Sequence, residues 1–429
     1  MTAYWCAAAW LPDGVHRGVL VDTGTGGTID AVSLVGRAPD GAHRLGGLVL
    51  PGFANAHSHA FHRALRGRTH ADGGTFWTWR DAMYTIAGRL DPDRYLRLAT
   101  LVYAEMAVAG ITAVGEFHYL HDHTNVYAEV LREAAAAAGI RLTLLDTCYL
   151  AGGIDTPVAG VQKRFSDGTA QGWANRVARL SDGPGFRFGA AIHSVRAVPR
   201  ADLAVVAEAF PDRPLHVHLS EQPAENEACL AAYGLTPAQL LAEAGALGPL
   251  TTAVHATHLT PADRALLGDT ATGACLCPTT EADLADGIGP ARELADAGSP
   301  LSLGSDQHAV IDPFVEARAL EHGERLRSGR RGRFGPAELV TAMTNHASIG
   351  WPGAGRIAPG APADLVQVRL DTVRTAGIAP EQVVLAATAS DVDVVVIGGR
   401  QVAAGGHHET LGPLGPALAA VIEELWRRS

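Results

Sequence analysis

The chain has 429 residues, 47% of them hydrophobic, with 34 basic against 45 acidic residues and a net charge of −11. That balance, with no basic tail, argues against nucleic acid as a partner, and no apolar run approaches the roughly 20 residues of a membrane helix. Five scattered cysteines (Cys6, Cys148, Cys229, Cys275, Cys277) form no disulfide framework, so a cytoplasmic protein without a signal segment is expected.

The first 50 residues are short apolar segments broken by glycine. Strands are predicted at 19–22 and 31–35, with a turn at 24–27. The rhythm then becomes strand, loop, helix. Asp91 and Pro92 supply an N-cap and a first-turn proline, and the helix they open stops at Gly110. Strand 111–117 follows. The unit recurs: helix 129–138 into strand 140–148, 173–180 into 186–193, 201–210 into 215–219, 237–246 into 252–259, 261–267 into 271–277, and 292–297 into 301–304.

With a first strand at 49–56, these make eight βα units, the pattern of a (β/α)8 barrel. Helices 312–327 and 336–349 close it. Strands 366–370 and 392–397 are predicted to join the N-terminal strands in a small β-sandwich, and 417–428 reads as a helix. The expected division is residues 1–50 with 351–411 as the sandwich, 51–350 as the barrel, and 412–429 as a C-terminal helix.

In such a barrel the active site lies at the C-terminal ends of the strands. There the sequence places His57 and His59, Glu116 to Tyr119, His193 to Arg196, His216 to Glu221, His255 and His258, and Ser305 to His308. Residues i and i+2 of a strand share a face, so His57 and His59 aim two imidazoles at one point. Alone, the pair reads equally well as two surface histidines. With His218 and Asp306 it becomes three nitrogen donors and a carboxylate, a set that suits one zinc with an open position.

Glu221, three residues past His218, is the candidate proton shuttle. That assigns His218 to the metal and leaves His216 packed inside. A two-metal site usually needs a bridging carboxylate or a carbamylated lysine. The one lysine, Lys163, lies in a polar run, so one zinc per chain is expected. Cys275 and Cys277 read as buried strand residues.

The order His57-x-His59, His218-x-x-Glu221, His255 and Ser305-Asp306 resembles the amidohydrolase superfamily. The split β-sandwich and the segment around Asp364 resemble it too, so the likeness spans nearly the whole chain. Five runs are similar, more narrowly, to its formimidoylglutamate deiminase branch: His57-Ser-His-Ala-Phe61, Phe76-Trp-Thr-Trp-Arg80, Glu116-Phe-His-Tyr119, His193-Ser-Val-Arg196 and His218-Leu-Ser-Glu-Gln222.

The resemblance implies metal ligands at His57, His59, His218 and Asp306. It implies proton handling by Glu221, His255 and Asp306, and contacts to substrate carboxylates from Arg80, Tyr119 and Arg196. The implied reaction turns N-formimidoyl-L-glutamate into N-formyl-L-glutamate and ammonia, a step of histidine degradation. One position departs: His62 stands where a glutamine is expected in the substrate pocket. Imidazole can replace an amide donor, but its charge varies with pH.

A guanidinium pairs bidentately with a carboxylate, so Arg196, just past the fourth strand, suits an anionic tail. Arg80 reads as a loop residue, and Trp77 and Trp79 as loop packing or a subunit contact. A homodimer is the expected assembly. Rival readings are a deaminase of a heteroaromatic ring, a hydrolase of N-acyl amino acids on the same metal centre, and an inactive barrel used for assembly. The ring deaminase would want stacking aromatics and amide donors.

Overall fold

The strand segments are near-continuous apolar runs, the pattern of parallel strands covered on both faces. In the computed structural model, which describes residues 2–70 and 73–427, eight of them form one parallel sheet. They are Phe53–Ser58, Ile111–His118, Arg141–Cys148, Phe186–Ile192, Leu215–Leu219, Thr251–His255, Gly273–Leu276 and Leu301–Leu303. Their hydrogen-bonded order is their order in the chain.

A parallel bridge from Ser58 to Asp306 brings the eighth strand back to the first. Across that seam His59 N–H donates to Asp306 O at 3.1 Å, and Asp306 N–H donates to His57 O at 3.0 Å. The expected (β/α)8 barrel is therefore the fold.

A nine-stranded sheet accompanies the barrel and uses both ends of the chain. Leu365–Val368 pairs antiparallel with Leu48–Pro51, and Thr2–Leu11 pairs with Gly14–Thr23. The alanine-rich start of the chain is thus a strand that the sequence reading did not predict. Arg141, on the third barrel strand, forks onto both oxygens of Asp364, and Asp364 Oδ1 also accepts Gly398 N–H at 2.9 Å. This ties the added sheet to the barrel.

Helix Pro92–Val108 starts as expected, with Asp91 accepting from Arg94 N–H at 2.8 Å. The C-terminal helix Leu414–Trp426 donates Trp426 Nε1–H to Ala64 O at 2.8 Å. Arg428 of the predicted helix, and Asp72 of the glycine-rich stretch before Phe76, lie outside the described residues. Among the described residues, no helix is long and apolar enough to cross a membrane.

Further segments differ from the sequence reading. Phe76–Arg89, which holds Arg80, is a 14-residue helix and not a loop. Thr75 and Thr78 cap it reciprocally: Thr75 N–H donates to Thr78 Oγ at 2.8 Å, and Thr78 N–H to Thr75 Oγ at 3.4 Å. Its aromatic first turn has modest helix propensity, and tertiary packing of Trp79, Met83, Ile86 and Ala87 supplies the rest. Pro223–Tyr233 is an additional helix. The predicted helix 336–349 breaks into Pro336–Met343 and a 3-10 turn His346–Ile349, because Asn345 caps Ser348 N–H.

Gly304 sits in the closing seam. A Cβ there would lie 2.7 Å from His57 Cβ, 2.8 Å from His57 O and 2.9 Å from His57 N. Backbone atoms cannot rotate away, so the strands themselves would have to part. Gly304→Ala is expected to lower stability by about 1–3 kcal/mol, read from urea unfolding of the purified variant. An unchanged midpoint would show that the seam opens freely.

Candidate active site

His57 ends the first barrel strand, His59 follows it, His218 lies on the fifth, and Asp306 follows the eighth. Their ligating atoms converge. His57 Nε2 is 3.1 Å from His218 Nε2, and Asp306 Oδ1 is 3.4 Å from His57 Nε2 and 3.3 Å from His59 Nε2. Donors about 2.0–2.2 Å from one zinc at near-tetrahedral angles stand roughly 3.3–3.6 Å apart, and such an ion can widen to five-coordinate to admit water, so these three separations suit one ion.

Second contacts aim the rings. His59 Nδ1–H donates to Phe117 O and His218 Nδ1–H to His193 O, each at 2.9 Å. A proton on Nδ1 leaves the Nε2 lone pair facing the cluster. Burial pushes His57 down to about 3 and His59 to about 4, and with the neighbouring histidines it holds His218 well below its usual range. All three are therefore neutral, the ligating form. Burial raises Asp306, but the His57 hydrogen bond and the nearby His255 outweigh it. The carboxyl stays well below the ordinary range.

His255 sits beside this cluster. Its Nε2 is 3.8 Å from Glu221 Oε1 and 3.9 Å from Asp306 Oδ2, and its Nδ1 is 3.4 Å from Glu281 Oε1. Burial alone would lower His255, yet Glu221, Glu281 and Asp306 hold it well above its usual range. Burial raises Glu221, against the pull of His255 and Arg196. Asp306 thus turns one oxygen to His57 and His59 and the other to His255. Ser220, His255, Ala256, Asp306 and His308 all have φ between +42° and +67°. Such strained turns cost on the order of 1–3 kcal/mol each and cluster at functional sites. Here they lie at the ends of strands five, six and eight.

Two further acids were missed by the sequence reading. Glu281 Oε1 accepts Cys277 N–H at 2.8 Å and faces His255. Asp286 Oδ1 accepts from Gln222 Nε2, and burial, then the Glu221 charge, push its carboxyl up to about 9. The seventh strand itself ends in Leu276 and Cys277. Its acids come later, on helix Pro278–Asp283 and just beyond, where strand periodicity gives no signal.

The pocket beyond the cluster is lined by His59, His62, Arg80, Tyr119, Arg196 and Glu221, among others. The Arg80 guanidinium lies 4.4 Å from the Trp77 ring centroid, and its buried Nε has no partner among the described residues. Arg196 is partly engaged: its Nε–H donates to Glu225 Oε2 at 3.2 Å. His62 Nε2 is 2.8 Å from Tyr119 Oη. Burial, and then His59, hold His62 well below its usual range. It is a neutral imidazole, so the pH-dependent charge expected from sequence does not arise.

His216 is packed inside as expected, donating Nε2–H to Ser348 O at 2.8 Å. His118 falls on the opposite face of its strand from Phe117, whose ring lies 4.3 Å from that of His218. Lys163 is exposed on the 3-10 turn Gly160–Phe165, away from any bridging position. Cys275 and Cys277 are buried thiols.

The amidohydrolase family profile matches residues 48–402. The chain belongs to the amidohydrolase family. This amidohydrolase is 38% identical over 391 residues to formimidoylglutamate deiminase of Pseudomonas aeruginosa, covering 85% of this chain and 86% of that one. It is 31% identical over 367 residues to 8-oxoguanine deaminase of the same organism, covering 82% and 81%. The crystal structure of an amidohydrolase from Brucella melitensis matches it with a TM-score of 0.89 at 30% identity, over 100% of both chains.

His218→Ala and Asp306→Ala are each expected to weaken divalent-metal binding by more than about 100-fold, since loss of a mere supporting contact already costs 10–100-fold. Chelator competition reads this. Tight binding in either variant would remove that side chain from the donor set.

Proposed function

We propose that this amidohydrolase is a zinc-dependent deiminase that hydrolyses N-formimidoyl-L-glutamate to N-formyl-L-glutamate and ammonia, a step of histidine degradation. The observation that carries this reading is the pairing of a candidate His/Asp metal site with two arginines, Arg80 and Arg196, in one pocket. The substrate offers an electrophilic amidine carbon to the first and two carboxylates to the second. The 38% identity to a formimidoylglutamate deiminase supports the same assignment.

His57, His59, His218 and Asp306 would hold one zinc per chain, which supplies hydroxide at neutral pH and polarises the reacting carbon. The protein's own groups do the rest. Asp306 Oδ2, on the His255 side, takes the proton of the attacking water. His255 faces the oxygen on which charge develops. Glu221, whose carboxyl burial raises, passes a proton to the reacting nitrogen; Asp306 then returns the water proton to it so that it leaves as ammonia, and the proton left on the new carbonyl oxygen goes back to Glu221.

Arg80 and Arg196 fork onto the carboxylates. His62 sets what Tyr119 can give. His62 Nδ1 is buried without a partner among the described residues, and a buried orphan acceptor is more tolerable than a buried orphan N–H. The proton therefore belongs on Nε2, which donates to Tyr119 Oη, and the phenol hydrogen, which meets only the Met83 sulfur at 3.7 Å, can turn to substrate. Burial raises Tyr119 well above its usual range, so it stays a hydroxyl.

The proposal includes a cytoplasmic homodimer, with no nucleic-acid or membrane partner. Trp77, 48% exposed on the Arg80 helix, is a surface that a second copy could cover. A second reading is deamination of a heteroaromatic ring. Trp79, Tyr149 and Phe165 line the same pocket, and 8-oxoguanine deaminase is a 31% relative. The two arginines favour the amidine, because a purine carries no carboxylate to meet them.

Ammonia release from N-formimidoyl-L-glutamate is expected to far exceed that from guanine or adenosine. Comparable rates on a ring substrate would refute the assignment. Arg80→Gln and Arg196→Gln are each expected to lower kcat/KM about 10- to 100-fold, mostly through KM, since a charged hydrogen bond contributes about 1.5–3 kcal/mol. Glu221→Gln should abolish turnover with metal retained. Near-normal turnover in that variant would remove Glu221 from proton transfer.

A further inference from the structure

The first and eighth barrel strands, with the residues just past their ends, supply three of the four donors, yet they meet with little backbone pairing. Strand eight is three residues long, and the Ser58–Asp306 bridge with its flanking hydrogen bonds joins it to strand one. A buried chain of polar side chains also spans this seam. Ser305 N–H donates to Asn55 Oδ1 at 3.0 Å, and Asn55 Nδ2–H donates to Ser305 Oγ at 2.7 Å. Ser305 Oγ is 2.9 Å from His308 Nδ1, and His308 Nε2 is 3.3 Å from Ser58 Oγ. Ser58 Oγ–H donates to Glu116 Oε2 at 2.7 Å, while Glu116 Oε1 accepts Ala60 N–H at 2.6 Å. Asn55, Ser58, Glu116, Ser305 and His308 are all at most 3% exposed.

The ends of this chain fix its direction. Ser305 N–H orients the Asn55 amide so that its NH2 faces Ser305 Oγ, and an NH2 can only donate. Ser305 must then give its own proton to His308 Nδ1, His308 gives Nε2–H to Ser58, and Ser58 gives its hydroxyl hydrogen to Glu116. The last acceptor has to take two donors, Ser58 Oγ–H and Ala60 N–H, one on each oxygen. A carboxylate meets that demand; burial pushes Glu116 up to about 7, and the Ser58 and Ala60 hydrogen bonds pull against that rise by favouring the ionised form. The reverse order fails at Asn55, which would leave the Ser305 hydroxyl hydrogen without an acceptor.

The members of the chain bracket the donors. Ser58 and Ala60 lie on either side of His59, Ser305 immediately precedes Asp306, and Asn55 shares a strand with His57. We propose that Glu116 is a positioning residue for the metal centre: as the terminal acceptor of this chain it holds the strand-one histidines at the right spacing from Asp306. The inference rests on reading His57, His59, His218 and Asp306 as a metal site. It does not depend on the identity of the substrate.

Glu116→Gln separates this from simple space-filling, because it keeps size and removes one acceptor. Glutamine can turn its oxygen to Ser58 or to Ala60, and either choice sets its NH2 against the other donor or reverses the chain. Zinc affinity would be measured by competition with a fluorescent chelator in the wild type, Glu116→Gln and Ser58→Ala, with excess zinc then added back in an activity assay. We expect tight binding of one zinc by the wild type and about 10- to 100-fold weaker binding in each variant. Excess zinc should restore most of the activity, because every donor is still present.

Unchanged affinity in folded variants would overturn the positioning role. Failure of the wild type to bind zinc would overturn the metal reading beneath it. Should Glu116→Gln not fold, Ser58→Ala decides by itself, since it removes one hydroxyl from the chain and adds no mismatched donor.

Discussion

Three imidazole nitrogens and a carboxylate oxygen, buried within 3.1–3.4 Å of their neighbours, are the constraint on which this structure turns. The His59 and His218 lone pairs point into the cluster, where the Asp306 carboxylate also faces, so the arrangement is sustained by what surrounds it. Backbone carbonyls of Phe117 and His193 set two tautomers. Burial keeps the histidines neutral, while their nearness keeps Asp306 ionised. A divalent cation would turn mutual repulsion into attraction, which is why these groups are read as a metal site and not as a buried polar cluster.

The same constraint explains where the fold accepts strain. Positive φ angles at Ser220, His255, Asp306 and His308 occur where the chain must leave a strand at once and still point a side chain into the barrel mouth. The shortest strand closes the barrel, so side chains and Gly304 must define a seam that the ladder defines only weakly. The two arginines proposed for substrate recognition lie on different elements. Arg80 comes from helix Phe76–Arg89 and Arg196 from the end of the fourth strand.

Much of this was legible in the sequence, for physical reasons. Period-two alternation put His57 and His59 on one face, and the barrel rule gathered His218, His255 and Asp306 to the same mouth. The helix carrying Arg80 was hidden, because a glycine-rich approach and an aromatic first turn mask a Thr75–Thr78 cap. Glu281 and Asp286 escaped because their strand ends in apolar residues and they arrive later, from a helix. The neutrality of His62 depends on burial, which the sequence does not show. The chain from Asn55 to Glu116 depends on partners 250 residues apart, beyond the reach of any local pattern.

The central claim is that one cation completes the four-donor cluster. The most direct test is the metal content of the purified, fully folded protein by elemental analysis. One zinc or similar divalent ion per chain, lost in a competing chelator and regained stoichiometrically on adding zinc, is the predicted result. Two ions per chain, or a fully active protein with none, would contradict it.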